Sequence, residues 1–416
     1  MATLEQKAHV DVAERFPCFD GLRALAALAV LLTHVSSTAG ANGQFVLGFV
    51  FARMDGGVAV FFVISGFLLY RPFVKSHLSA SSVPATGPYL WRRALRIYPA
   101  YWLVVLVVVY VFGDKGIPDF QSFFLYFGLV HIYSQAHAYG PLVQSWTLAT
   151  EIAFYVFLPI WAFLVRTGSS GPFAVRFRRE LIGIAILVAI SIAWKMFAIH
   201  HGIAGYNVGV LRLWLPWWLD MFAAGMLFAV LSVAIADHGL RTPARLDAPI
   251  APVVSWLLAL GAIWLVSAGI GLPVAGIGIP RHLLVPEHYL YLAVAIFLVL
   301  PAVFGPQTRE SSPVRRFLTT PVMVYLGLIS YGIYLWHDPW IDRYLAWTSQ
   351  RAFTIYGGTT PFASHTNLFF SVPFLTFLVA ILGLTIASAS ISWFVLEKPL
   401  MRLRHLFDRA SRVGRR

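Results

Sequence analysis

The sequence predicts an all-α protein that crosses a membrane about ten times, with both termini in the cytoplasm. Three observations carry this. Hydrophobic residues make up 59% of the 416 and charged residues 12%, where a soluble domain carries about 25% charged residues. Apolar runs of bilayer-spanning length recur along the chain. Basic residues gather on alternate connections between those runs, as the positive-inside rule requires.

The runs fall near residues 20–38, 56–72, 96–112, 146–165, 181–200, 211–235, 252–270, 286–304, 320–340 and 367–396. The last is long enough to tilt or to extend beyond the bilayer. Residues 1–18 contain Glu5, Asp11 and Glu14 and no apolar core, so they read as a cytoplasmic tail and not as a signal peptide. Residues 19–397 then form the membrane-embedded domain, and 398–416 a basic cytoplasmic tail. With the N-terminus inside, 23 of the 31 basic residues lie on the cytoplasmic side and 5 outside. The net charge of +13 is therefore topology and affinity for anionic lipid, not a nucleic-acid surface. The longest outer loops are expected at 113–145 and 341–366, and short basic links at 166–180 and 236–250. Cys18 is the one cysteine, which excludes an intramolecular disulfide and any multi-cysteine metal site. There is no internal repeat and no low-complexity segment.

The first run carries two ionisable residues, Arg23 and His34. Eleven helical steps place them on one face, about 16 Å apart along the axis at ~1.5 Å per residue. Ionisable groups inside a bilayer are costly and are functional candidates. The alternatives are a headgroup anchor at Arg23 and a packed histidine at His34. The topology puts His34, Glu151 and His337 at similar depth near the outer surface, with Lys195 and Arg212 in the outer halves of the fifth and sixth helices. Asp220 is a candidate to neutralise Lys195 or Arg212. Arg23, Arg92, Arg93 and Arg96 form a second layer facing the cytoplasm. Arg93 and Arg96 are helical neighbours at i and i+3. Arginine's planar fork suits phosphate, although arginines at a cytoplasmic helix start also serve as topology signals. Gly57, Ser65 and Gly66 read as small residues for close helix packing. Trp214, Trp217, Trp218, Trp340 and Trp347 read as an interfacial belt, with stacking on sugar rings as the alternative.

These residues fall within motifs that resemble acyltransferase family 3, the integral-membrane O-acyltransferases that modify lipopolysaccharide, peptidoglycan, exopolysaccharide and macrolide hydroxyls. Phe19-Asp-Gly-Leu-Arg23 with His34 is similar to the family's Arg/Lys-x10-His motif. Phe61-Phe-Val-Ile-Ser-Gly-Phe67 resembles the second-helix signature, and Arg92-Arg-Ala-Leu-Arg-Ile-Tyr-Pro-Ala-Tyr-Trp102 the third-helix segment. Ser145-Trp-Thr-Leu-Ala-Thr-Glu-Ile-Ala-Phe-Tyr155, Ser330-Tyr-Gly-Ile-Tyr-Leu-Trp-His337 and Leu396-Glu-Lys-Pro399 resemble the remaining motifs. The resemblance covers nearly the whole chain. It departs at Ala59 and Ile152, where many members are acidic; Asp55 is the nearest carboxylate to the first.

The resemblance implies a multi-pass enzyme of the bacterial plasma membrane with no bound cofactor or metal. Acyl-CoA, with acetyl as the default group, is the implied donor. A carbohydrate, glycolipid or macrolide hydroxyl is the implied acceptor. His34 and Glu151 are the implied catalytic residues, His34 as general base or as carrier of the acyl group, with Glu151 orienting its ring. Arg23, Arg93 and Arg96 are implied to bind the donor. His337, Trp146, Tyr331, Lys195 and Arg212 are expected in support or on the acceptor side. The alternative is a transporter with a buried Arg/His/Glu path, for which inverted repeats would be the sign.

Overall fold

The computed structural model describes residues 16–40, 46–113, 115–166, 171–201, 209–272, 279–348 and 372–405. Residues 1–15 of the expected N-terminal tail, 349–366 of the expected outer loop, the first residues of the last run and 406–416 of the basic tail lie outside these. The described residues form helices and turns without a strand. Among them, nine helices are long and apolar enough to cross a membrane.

The principal helices are α1 (Cys18–Ala39), α2 (Gly57–Leu78), α3 (Thr86–Leu106), α4 (Trp146–Arg166), α5 (Phe173–His201) and α6 (Leu215–His238). They continue with α7 (Ala251–Trp264), α8 (Arg281–Val303), α9 (Pro321–Leu328), α10 (Ser330–Thr348) and α11 (Val372–Ser392). Nine of the ten expected runs correspond to the nine spans. The run expected at 320–340 is two helices, α9 and α10, which meet at Ile329. Asp338, Asp342 and Arg343 make α10 too polar to count with the others. It also continues to Thr348, into what reads by sequence as loop. A short helix, Phe120–Phe127, interrupts the loop expected at 113–145.

Two other boundaries bear on the site. α3 begins at Thr86, ten residues before its apolar run, because Arg92 and Arg93 interrupt the hydropathy without interrupting the helix. Pro88 in its first turn suits a helix start, where the missing N–H has no partner to lose. Arg93 and Arg96 thus stand two to three turns inside the helix. The arginines 176, 178 and 179 likewise sit on the first turns of α5 and not in a link.

α1 lies inside the bundle, packed against α2, α9 and α10, while α2 lies along α6. That second seam explains two glycines. A side-chain carbon at Gly66 would collide with the Phe222 carbonyl, and one at Gly225 with the Val63 carbonyl. Gly57 meets the Ala26 carbonyl of α1 in the same way. Gly66→Val is expected to cost at least about 1–3 kcal/mol through overpacking. Thermal unfolding in detergent should show it as a lower midpoint and a lower yield of monodisperse protein.

The outer helices expose apolar side chains instead. Ile182, Ile186 and Ile190 of α5 share one exposed face, and Val379 and Ile391 of α11 are open as well. Such faces fit lipid. Trp217 and Trp218 do not belong to an interfacial belt: both are buried in the core, Trp218 against Phe62 and Trp146 and Trp217 against His288. The Arg315 guanidinium, counted by sequence as a topology charge, is buried and donates to the carbonyls of Pro301 and Phe304 at 2.9 and 2.8 Å. It closes the C-terminus of α8, where carbonyls otherwise lack partners.

Candidate functional site

A cleft of about 780 Å³ opens between α1, α2, α3, α4 and α10. Its polar lining includes Arg23, Ser65, Arg93, Arg96, Glu151 and Tyr155, with Tyr331 and Tyr334 on the α10 side. The i, i+3 spacing on α3 does what the sequence suggests and presents Arg93 and Arg96 to one space. Arg23 joins them from α1, bonded to Asp20 at 3.2 Å and within electrostatic reach of Arg96. Among the described residues neither Arg93 nor Arg96 makes a close ion pair, Glu397 lies within electrostatic reach of Arg96, and Nε of Arg93 is buried without a hydrogen bond. With Asp20 against Arg23 and Glu397 near Arg96 behind it, the lining itself presents three guanidinium groups and one carboxylate, Glu151, a surface that suits a polyanionic ligand.

Glu151 stands in this cleft and makes no hydrogen bond to His34. One Glu151 oxygen, Oε1, accepts from the Ser65 hydroxyl at 2.6 Å and from the Tyr155 hydroxyl at 2.7 Å. Among the described residues Oε2 has no recorded partner. Ser65 therefore does more than allow close packing: it fixes the carboxylate. Tyr331 braces the wall by donating to the Ile97 carbonyl of α3 at 2.7 Å.

His34 pairs with His337 and not with Glu151. Nδ1 of His34 lies 2.7 Å from Nε2 of His337, and the rings stack at 4.9 Å. His337 is fully buried, and its Nδ1 lies 3.3 Å from the Ile333 carbonyl one turn earlier. The contact to the His34 ring expected of Glu151 is made by His337. Tyr334 connects the two groups, since it lines the cleft and its ring lies 5.9 Å from that of His337. Its hydroxyl is held by Thr147 at 2.7 Å. The result is a cationic cleft bordering a histidine pair. Such an arrangement can bind a phosphorylated molecule and take a proton from a hydroxyl.

Lys195 and Arg212 do not join this site. Lys195 is buried and donates to Asp220 at 2.9 Å and to Ser191 at 2.7 Å. His288 contacts the same carboxylate at 2.9 Å. Asp220 was the expected counter-ion; His288 was not expected. Arg212 instead pairs with Glu287 at 2.9 Å, and Arg53 stands 3.8 Å from that carboxylate. Asp55 accepts from Tyr291 at 2.7 Å and does not reach the histidine pair. Trp146 packs on Trp218, 5.3 Å between ring centroids, behind the cleft wall formed by Phe62. At the other end of α2, Glu180 accepts from Tyr70 and contacts His77, each at 2.6 Å. Glu180, Glu287 and His288 were missed. The usable signal was present for the latter two, adjacent ionisable residues at the head of the 286–304 run. Beyond the membrane spans, burial holds His131 down at about 4, so this residue stays neutral beside Ser145 at the start of α4.

The Lys195–Asp220 pair predicts a structural phenotype. Lys195→Met leaves Asp220 buried with one charge partner fewer, at a cost of about 3–5 kcal/mol. The expected result is a lower unfolding midpoint, with donor affinity unchanged in the protein that remains folded.

The family model described as "Acyltransferase domain" matches residues 16–395. The chain is 26% identical over 416 residues to Nodulation protein 10 of Rhizobium leguminosarum bv. viciae, with 93% of each chain covered. It is 22% identical over 339 residues to a Staphylococcus aureus (strain COL) protein provisionally named an O-acetyltransferase, covering 77% of this chain and 50% of that one. It is 30% identical over 188 residues to the peptidoglycan O-acetyltransferase OatA of Listeria monocytogenes, covering 42% of this chain and 28% of that one. The chain thus spans half or less of those last two relatives. No solved structure matches it.

Proposed function

We propose, because this chain belongs to the acyltransferase family, that it moves an acyl group, by default acetyl, from cytoplasmic acyl-CoA to a hydroxyl of an extracytoplasmic glycan, glycolipid or macrolide. The O-acetyltransferase names of two relatives support the oxygen acceptor, and one of those names specifies peptidoglycan. The observation that carries the proposal is the cationic cleft of Arg23, Arg93 and Arg96, which reaches the histidine pair through Tyr334.

The reaction assigns a role to each part. Arg93, Arg96 and Arg23 hold the phosphates of the donor. The thioester lies toward Tyr334. His34 takes the proton of the acceptor hydroxyl, whose oxygen attacks the thioester carbonyl. A C–O bond forms, the C–S bond breaks, and the thiolate leaves with the proton from His34 as free thiol. A sugar hydroxyl is a poor nucleophile until its proton is removed, and a histidine base titrates in the right range. Glu151, fixed by Ser65 and Tyr155, sets the electrostatic balance of the cleft and keeps Tyr155 in place.

The direct test supplies labelled acetyl-CoA to membranes of a producing strain with no ion gradient. Label should enter envelope glycan or glycolipid in proportion to enzyme. Transfer without a gradient separates an acyltransferase from a transporter. No incorporation, with purified protein that still binds CoA, would reject the donor–acceptor assignment.

A further inference from the structure

Resting on the proposed transfer, we infer that His337 sets the tautomer of His34, so that a His–His pair, with no carboxylate hydrogen-bonded to it among the described residues, serves as the base. His34 touches the acceptor hydroxyl; His337 is a positioning residue that acts through it.

A neutral imidazole has one nitrogen that donates and one that accepts. The Ile333 carbonyl can only accept, so Nδ1 of His337, 3.3 Å away, carries the ring proton. Nε2 of His337 is then a lone pair. It lies 2.7 Å from Nδ1 of His34, which must donate. Nε2 of His34 is left with a lone pair and has no recorded partner among the described residues. The reverse assignment would turn the Nδ1 lone pair of His337 toward the carbonyl oxygen, a buried acceptor facing an acceptor. The direction of the whole relay is thus set by one backbone carbonyl: His337 Nδ1–H to Ile333, His34 Nδ1–H to His337, substrate O–H to His34.

Catalytic bases of this kind are commonly oriented by a third group, often a carboxylate. The titratable groups on the two helices that carry the pair are Cys18, Asp20 and Arg23 on α1 and Tyr331, Tyr334, Asp338, Asp342, Arg343 and Tyr344 on α10, with Asp55 before α2, Tyr325 on α9 and Glu151 on α4 as further groups on the elements packed against them. None of them is recorded in a hydrogen bond to either ring. Residues 374–392 of α11 contain no titratable side chain. When Nε2 of His34 takes the substrate proton, the lone pair on His337 is the one hydrogen-bond partner that faces the new charge among the described residues.

His337→Leu and His337→Gln separate this from packing. Leucine fills volume and accepts nothing; the glutamine amide oxygen can replace Nε2 as acceptor. With labelled acetyl-CoA and native membranes, kcat and the donor KM are measured across about pH 5 to 8, the range over which histidine titrates. His337→Leu should lower kcat about 100-fold with donor KM unchanged. His337→Gln should stay within about tenfold of wild type. Its acid limb should move to lower pH, because an amide oxygen holds the imidazolium less well than an imidazole lone pair. Wild-type kcat in His337→Leu, or an unmoved acid limb in His337→Gln, overturns the inference. If the leucine variant does not fold, the acid limb of His337→Gln decides alone. His34→Ala keeps the two levels apart. Activity in His34→Ala rejects the base itself, whereas an inactive His34→Ala beside a fully active His337→Leu rejects only the positioning role.

Discussion

His34→Ala is expected to lose acyl transfer by about 100- to 10,000-fold at unchanged expression, the range for removal of a general base. Donor binding should survive, because His34 is not among the residues that line the arginine cleft. The signature is a collapse of kcat with an unaltered dissociation constant for a non-hydrolysable CoA analogue. A variant that loses both together would instead have lost the fold around α1, which lies inside the bundle against α2, α9 and α10. Size-exclusion profiles distinguish the cases.

Substitution of the α3 arginines should produce the opposite pattern. Arg93→Ala and Arg96→Ala each remove a charge-assisted contact to phosphate, at a cost of about 1.5–3 kcal/mol. That corresponds to about a 10- to 100-fold rise in the donor KM. The acceptor KM and the pH profile should stay where they are. Arg96→Lys tests the geometry of the contact. It keeps the charge but replaces a planar fork with a point charge, so it should recover only part of the loss. Analogue binding by Arg93→Ala and Arg96→Ala at wild-type affinity would reduce the pair to a topology signal.

Much of the bundle was legible because membrane helices announce themselves by length and hydropathy. What was hidden follows from the same physics. The start of α3 was invisible to hydropathy, since Arg92 and Arg93 turn polar a stretch that the backbone continues as helix. The break at Ile329 was hidden for the converse reason, an uninterrupted apolar run across two helices. Arg93 and Arg96 were placed together by spacing, a local property. His34 and His337 share a hydrogen bond across 303 residues, and no local pattern reveals that. Similar inferred depth put them in one layer with Glu151, but depth does not set contacts, and Glu151 bonds to Ser65 and Tyr155 instead. Lys195 and Asp220 were readable as a pair because an isolated buried charge needs a counter-ion. That His288 shares the same carboxylate was not, because its neighbour Glu287 turns instead to Arg212.

The central claim is transfer from a donor on the arginine side to an acceptor on the far side of the membrane. Sealed vesicles of both orientations, prepared from a producing strain, test it most directly. Labelled acetyl-CoA is added outside each preparation, and label in envelope material is counted for wild type and His34→Ala. Label should enter only where the cytoplasmic face meets the added donor, in inside-out vesicles, and His34→Ala should abolish it. Equal incorporation in both orientations, or incorporation that persists in His34→Ala, would contradict the account.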